Sequence, residues 1–519
     1  MHRLRRFGWL VFLCASGSLA RAQETLELKP LHKQLFLDDY VIKEVHNLRR
    51  TLHQPEKIGS TAVIRPEESW EDGIVGTRNA PFWDATAQLW KLYYHGAAME
   101  KDAASGQSAM TYRQCLAVSK DGLVWTKPAL GLVEWNGSKA NNIVTSNRNF
   151  LYHVVYDAKG GNERYKGLFG AGGRIGMNDR KPAVSADGLH WKFLDVPVIS
   201  SEDQSKLIYD EIAGQYLLTV KHEGPYGRSV YLTTSKDFHR WSDQRLIFYA
   251  DGTDQEATRR RIAARLTDAR FAPLTINQPA DYNVDVYNMP VAPYEGIYIG
   301  MPMFFNQSGP TPIGNAEGFY HVELVTSRDL LQWHRVASRA PFMETSHVGT
   351  GAYDIVTIVP PDRPVVRDGE LWFYSSGNKF RFLPSAVVTE PDGSKTFGFP
   401  KNTGAIYLSR LRLDGFVSMD AGELEGALLT RPFLLRGKRL AVNVRVREGG
   451  SFRAEILDAT GRKVADGFSL EGGVPVTGDQ LRAPLAWQSG KDLGSLDGQQ
   501  VRLRFVFRRA SLYSFWVAD

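Results

Sequence analysis

Four carboxylates in this chain could do acid–base chemistry together: Asp203, Asp285, Asp354 and Glu223. Paired carboxyl groups suit a reaction in which one protonates a leaving oxygen while the other attacks or activates water. Asp203 or Asp285 would be the nucleophile or base, and Glu223 the acid, its pKa raised by partial burial. Arg78, Asn79, His95, Asn149, Arg228 and Asn288 can donate hydrogen bonds to hydroxyls or to a carboxylate. Trp70, Tyr282 and Tyr287 offer flat faces for stacking. An aspartate at the start of a strand can equally cap a turn, and that alternative stands beside each assignment. These residues lie far apart in sequence, so everything depends on the elements that gather them.

Those elements repeat. Ser119-Lys-Asp-Gly-Leu-Val-Trp125, Ser185-Ala-Asp-Gly-Leu-His-Trp191, Ser235-Lys-Asp-Phe-His-Arg-Trp241 and Ser327-Arg-Asp-Leu-Leu-Gln-Trp333 are copies of one phrase, and Ser409-Arg-Leu-Arg-Leu-Asp-Gly415-Phe416 is a weaker fifth. Upstream of each lies an aromatic run with a turn: Trp83 to Tyr94, Tyr156 to Phe169, Tyr209 to Val220, Tyr294 to Ile299, and Asp368 to Tyr374. Each run reads as strand, turn, strand. The Ser-x-Asp phrase adds a third strand, a turn and a fourth strand, with its Trp packed between neighbouring sheets. Serine spacings of 66, 50, 92 and 82 residues with four strands per unit predict an all-β chain: a five-bladed β-propeller over residues 23–420. Successive β-sandwiches are the alternative.

In that architecture the strand starts and the loops after the second strands meet at one mouth. They bring Arg78 and Asn79, Arg148 and Asn149, Glu202 and Asp203, Asp285 and Asn288, and Asp354 together with His95, Lys221 to Glu223, Phe304 to Asn306, and Lys379 to Arg381. Leu35 to Ile42 is expected to pair with the last blade and close the ring, with Asp38 and Asp39 as its turn residues. After Phe416 the pattern changes to short alternating runs such as Leu440 to Val446 and Val501 to Phe507, punctuated by Gly pairs. This predicts a C-terminal β-sandwich over 421–519. Between the third and fourth units, Gln255 to Leu266 reads as a helix with a basic stretch, either a solvated face or an anion contact.

Arg3, Arg5 and Arg6 precede an apolar run, and Ala20-Arg-Ala22 follows it, which predicts a signal peptide over residues 1–22 and a secreted or periplasmic protein. Removing it takes four bases and no acid, so the formal charge falls from +6 to +2. A nearly neutral mature chain gives no reason to expect nucleic acid, and no later segment is apolar enough to predict a membrane span. Cys115 alone remains, so no internal disulfide is expected. No His or Cys cluster suggests zinc. No cofactor is called for, an axial calcium ion is left open, and the oligomeric state is not legible.

Leu35-Phe-Leu-Asp-Asp-Tyr40, Ser327-Arg-Asp329 and Leu413-Asp-Gly-Phe-Val-Ser418 leading to Leu429-Thr-Arg-Pro432 resemble segments of glycoside hydrolase family 32 and its relatives in families 43, 62 and 68, most nearly a secreted bacterial family 32-like group. The resemblance covers nearly the whole mature chain. It implies a propeller with a C-terminal sandwich, a carbohydrate substrate, and a glycosidase that cuts a polysaccharide or oligosaccharide with two carboxyl groups flanking the bond. The family's catalytic motifs do not carry over. Thr77-Arg-Asn-Ala-Pro81 lacks the nucleophilic aspartate, and Arg-Asp-Pro and Glu-Cys are absent from the sequence. A glycan-binding propeller without catalysis and a sialidase-like enzyme are the competing readings, and a scaffold for protein contacts is a third.

Overall fold

The computed structural model describes residues 25–28, 31–59, 62–101, 108–145, 150–172, 178–311, 315–380, 387–389, 395–397 and 401–518. The expected signal peptide, Arg148, Asn149 and Arg381 lie outside the described residues.

The repeated phrase folds the same way in its four clear copies, because its hydrogen bonds are local. Ser119 Oγ accepts from the Gly122 N–H at 2.9 Å, and Asp121 Oδ1 accepts from the N–H groups of Leu123 and Val124 at 2.8 and 2.9 Å. The Trp125 indole N–H then closes on the Gly122 carbonyl at 3.0 Å. Equivalent bonds hold Ser185–Trp191, Ser235–Trp241 and Ser327–Trp333. The fourth residue of each phrase has a left-handed backbone, with φ of 70° and 79° at Gly122 and Gly188 and 68° and 67° at Phe238 and Leu330. Glycine takes this conformation freely. Phe238 and Leu330 offset the strain by burying their side chains. In the glycine copies tyrosines use the space instead: Tyr374 and Tyr93 donate to the Gly122 and Gly188 carbonyls at 2.9 Å.

Around these turns the chain builds successive antiparallel units. The first comprises Ile74–Gly76 with Phe82–Asp84, then Leu89–Lys101, Ser108–Ser119 and Ile143–Thr145. The second is Leu151–Tyr156, Tyr165–Gly172, Asn178–Ser185 and Lys192–Phe193; the third is Ser205–Asp210, Gln215–Gly224, Gly227–Ser235 and Arg245–Phe248. The fourth is split by irregularities into two four-stranded sheets, starting at Asn283–Asn288 and Val291–Tyr294. The fifth contains Thr357–Val359, Val365–Arg367, Glu370–Asn378 and Gly404–Arg412, and a parallel bridge from Gly404 to Ile74 links it to the first.

Apolar seams join consecutive units. Phe82, Tyr93 and Leu116 meet Leu151, Tyr165 and Phe169 between the first and second units. Leu168 and Val184 meet Leu207, Leu218 and Phe238 between the second and third. Val75, Leu92 and Tyr94 meet Trp372, Tyr374 and Ile406 between the first and fifth.

The N-terminal strands correct one expectation. Gln34–Leu35 pairs with Gln500–Ala518, and Ile42–His46 with Gly426–Thr430, so Leu35 to Ile42 joins the C-terminal sheet rather than the last unit. The strand added to the fifth unit is Glu56–Lys57, on Gly404–Arg412. Asp38 binds Arg328 at 2.9 and 3.1 Å, and Arg328 lies 3.8 Å over the Tyr40 ring, so two of the segments that carry the family resemblance touch each other.

The C-terminal sheet is organised by two long strands, Arg439–Asp458 and Gln500–Ala518, whose pairing shifts register near Val446 and Ser451. The weak fifth phrase ties it to the fourth unit. The buried Asp414 carboxylate accepts from Lys33 at 2.9 Å, Tyr294 at 2.7 Å, Asn443 at 3.2 Å and Ser514 at 2.8 Å.

The inserted helix is Gly252–Thr267, with Asp251 and Asp254 forming a reciprocal cap. Arg261 reaches Glu323, Arg265 reaches Thr345 and the Ile355 carbonyl, and Arg259 and Arg260 face solvent. No helix among the described residues is long and apolar enough to cross a membrane.

Candidate active site

Asp203 stands just before the first strand of the third unit. Its carboxylate binds Lys221 and accepts the Tyr287 hydroxyl at 3.0 Å. Lys221 follows Val220, which pairs with Ser205, so the hairpin itself sets the lysine beside the strand start. Tyr287 comes from the fourth unit, in the strand that carries Asp285 two residues earlier, on the same face. Asp285 accepts from Arg228 at 2.9 Å and from the Gln307 amide at 2.9 Å. The Lys221 ammonium and the Arg228 guanidinium lie 4.6 and 5.5 Å from the centre of the Tyr287 ring. Tyr287 therefore bonds the aspartate of the third unit and lies beside the arginine that binds the aspartate of the fourth.

The two carboxyls are displaced in opposite directions. Burial favours protonation of Asp203, but Lys221, the Tyr287 hydroxyl and Arg78 outweigh it and hold its pKa below the ordinary 3.8. Burial dominates at Asp285, where Arg228 and Lys221 only partly offset it, so its pKa lies above 3.8. Asp285 thus takes up a proton at a higher pH than Asp203. Arg228 stays charged throughout, because Asp285 stabilises a guanidinium whose pKa is already far above neutrality.

Beside Asp203 the first and second units contribute a cationic and aromatic wall. The Arg78 guanidinium lies 4.6 Å from the Tyr152 ring centre and Arg180 lies 3.9 Å from the same ring. Arg78 Nε donates to Gln204 at 3.3 Å, and its Nη1 faces His95 Nδ1 at 3.4 Å. Burial, Arg78 and Lys206 together push the His95 pKa well down, so this imidazole is neutral. A side chain at Gly76 would bring its Cβ to 2.9 Å from the His95 ring, and this glycine is what makes room for it.

The other expected residues are placed differently. Asn79 is buried and its amide is spent on the Tyr93 and Tyr152 carbonyls and the Val154 N–H, tying the first two units together. Glu223 is exposed on the hairpin opposite Arg228, not partly buried as expected. Asp354 is buried but ion-paired with Lys57 of the strand added to the fifth unit, in a wall shared with Tyr353 and Tyr407. Among the described residues, no ion pair links it to Lys221 or Arg228, which bind Asp203 and Asp285. Asn288 is buried, its amide nitrogen 3.5 Å from Met303 Sδ. Tyr282 is half-buried and bonded to Asn277, and Trp70 donates to Asn142 at 3.0 Å. Arg180, Gln204, Tyr152 and Gln307 were not singled out by the sequence. Only Gln204, adjacent to Asp203, carried a signal that could have found it. No group of three or more His, Cys, Asp or Glu side chains converges as metal ligands among the described residues.

No protein-family model matches the chain, and no curated protein matches it. Solved structures to which it is similar include glycoside hydrolases. An N-acetylgalactosamine deacetylase from F. plautii, in complex with blood group B trisaccharide, has a TM-score of 0.38 and 13% identity over 73% of this chain and 97% of its own. A glycosyl hydrolase from Bacteroides ovatus has a TM-score of 0.38 and 12% identity, covering 69% and 94%. A fructofuranosidase from Schwanniomyces occidentalis, complexed with fructosylnystose, has a TM-score of 0.36 and 12% identity, covering 89% and 99%. Superpositions this distant decide neither mechanism nor substrate.

Proposed function

We propose that this chain is a secreted glycoside hydrolase acting on a polysaccharide or oligosaccharide, with Asp203 and Asp285 as its working carboxyls. The observation that carries this reading is the pair itself: Asp203 bonded to Tyr287, and Asp285 bonded to the Arg228 that lies by the same ring, with surroundings that move their pKa values apart. Such a division is what separates an acid from a base or nucleophile at one pH. Asp285, which keeps its proton longer, would protonate the glycosidic oxygen. Asp203, held ionised by Lys221, Tyr287 and Arg78, would attack the anomeric carbon or activate water.

The seams between successive units and the bridge from the fifth unit back to the first support a five-bladed propeller, with residues 421–519 forming a sandwich that also takes in the strands before residue 53. A binding-only reading has one observation in its favour: Asp203 and Asp285 are both already ion-paired, with Lys221 and Arg228. Incubating the purified protein with a panel of glycans and aryl glycosides separates the two. Released reducing ends that disappear in Asp203→Asn and Asp285→Asn support the hydrolase. A glycan that binds and is never cut defeats it.

A further inference from the structure

The inserted helix Gly252–Thr267 takes no part in the chemistry of the paired carboxyls, yet its first turn reaches the strand that carries one of them. That strand, Asn283–Asn288, lies at the edge of its sheet, with Met303–Pro310 as its strand partner. Along a strand the N–H and C=O of one residue point to the same side, alternately toward and away from a given neighbour. Those of Val284 point off the open edge, and Val284 is buried. A buried backbone N–H or C=O left unpaired is unfavourable. Gln255 meets both: its side-chain oxygen accepts the Val284 N–H at 3.0 Å, and its amide nitrogen donates to the Val284 carbonyl at 2.7 Å. A primary amide holds an acceptor and a donor side by side, so one side chain does here what a neighbouring strand would.

The Val284 carbonyl belongs to the planar peptide group whose nitrogen is that of Asp285, so this clamp fixes the backbone at the aspartate itself. The helix that carries Gln255 is held in turn. Its capping residue Asp251 binds Arg339 at 2.7 Å, and Asp254 binds Arg335. Thr258, three residues beyond Gln255 and on the same helix face, donates to Asn306 at 2.8 Å. Asn306 stands opposite Val284 in the register, so the two helix residues grip both strands at one level. The Asp285 carboxyl is tethered separately, by Arg228 from the third unit and by Gln307. The hairpin at Gly227 comes so near that a Cβ there would lie 3.3 Å from Asp285 Oδ2. Backbone and carboxyl are thus fixed by different elements.

We infer that Gln255 is a positioning residue: through the Val284 backbone, the inserted helix sets where Asp285 stands against Arg228 and the third unit. This rests on the reading of Asp285 as a working carboxyl, but its decisive test needs no substrate. In the purified protein isotope-labelled at its aspartate carboxyls, the Asp285 signal is the one lost in Asp285→Asn, and NMR follows its titration. Gln255→Met keeps the length of the side chain and its helix preference while removing both bonds. The strand start then loosens and water reaches a carboxyl whose pKa burial raises against the pull of Arg228 and Lys221, so its midpoint should fall back toward 3.8. Thr258→Val loosens the helix without touching the clamp and should leave that midpoint in place. On the identified glycan, Gln255→Met should lower kcat about tenfold with KM little changed, the pattern of a misplaced reacting group.

An Asp285 midpoint unmoved in folded Gln255→Met, or moved as far by Thr258→Val, would overturn the inference. Gln255→Ala, which also suits a helix, decides in the same way if the methionine variant does not fold. A midpoint that moves while the wild-type protein cuts no glycan would sink the hydrolase reading alone. A midpoint that moves with kcat unchanged would remove Asp285 as the working acid and leave Gln255 its place.

Discussion

Asp285 and Asp354 are both buried aspartates near the first strands of neighbouring units, each ion-paired with one base. Their settings differ in what surrounds the pair. At Asp285 the base also faces Tyr287, which binds Asp203, so the carboxyl belongs to a network that spans two units. At Asp354 the base is Lys57, on a strand from far earlier in the chain, which also donates to the Glu344 carbonyl at 3.2 Å and Ser346 Oγ at 2.7 Å. That pair fastens the fourth and fifth units together. The lesson is that a buried, paired aspartate says little about chemistry until a second carboxyl is shown to share its partners.

The strongest way to break this contrast is to remove each charge in turn. Asp203→Asn or Asp285→Asn should lower the rate on the identified glycan by roughly 10²–10⁴-fold, the range for a lost acid or base. Asp354→Asn should leave the rate per folded molecule within about threefold of wild type, because sites that share no partner act nearly independently. Comparable losses at Asp285 and Asp354 would erase the distinction.

Lys57→Met approaches from the other side. It leaves the Asp354 carboxylate buried without its cation, so denaturant unfolding should show a loss of about 3 kcal/mol. Steady-state rates on the folded fraction should not change. A rate defect with normal stability would assign Asp354 to the active site after all.

Tyr287→Phe removes the hydroxyl bonded to Asp203 while keeping the ring on which Lys221 and Arg228 lie. A loss of about tenfold in rate is expected, the scale of one hydrogen bond to a charged group. The Asp203 pKa should rise with it, moving the acid limb of the pH profile upward.

The pH profile itself should be a bell. Turnover needs Asp203 ionised and Asp285 protonated, so it falls as pH drops below the lowered Asp203 value and falls again as pH rises above the raised Asp285 value. The stability signs follow the same directions. The Asp203 contribution is present above its unfolded pKa and lost as pH falls through its lower folded value. Asp285 favours the fold at low pH and ceases to as pH rises through its higher folded value. In Asp285→Asn the alkaline limb assigned to Asp285 should disappear, while Asp354→Asn should leave both limbs in place.

The chain's own order determined a good deal. The Ser-x-Asp-x-x-x-Trp turns could be read directly because their bonds run between residues two or three apart, and any sequence that spells them closes them. The β-branched and aromatic residues of the upstream runs likewise marked strands, and the helix formers and basic stretch of Gln255 to Leu266 marked the helix. Whether the fourth phrase residue is glycine was legible too. What it implied was not, since Phe238 and Leu330 hold the same left-handed backbone by burying side chains in seams that the phrase itself does not contain. Tertiary structure decided the partners. It sent Leu35 to Ile42 to the C-terminal sheet, spent Asn79 on holding two units together, exposed Glu223, and gave Asp354 a lysine nearly three hundred residues away. Each of these outcomes depends on which strand edges and which charges are brought together across the whole chain. Local turn chemistry cannot encode that choice, because a strand with one apolar face fits several edges and only the packed assembly selects one.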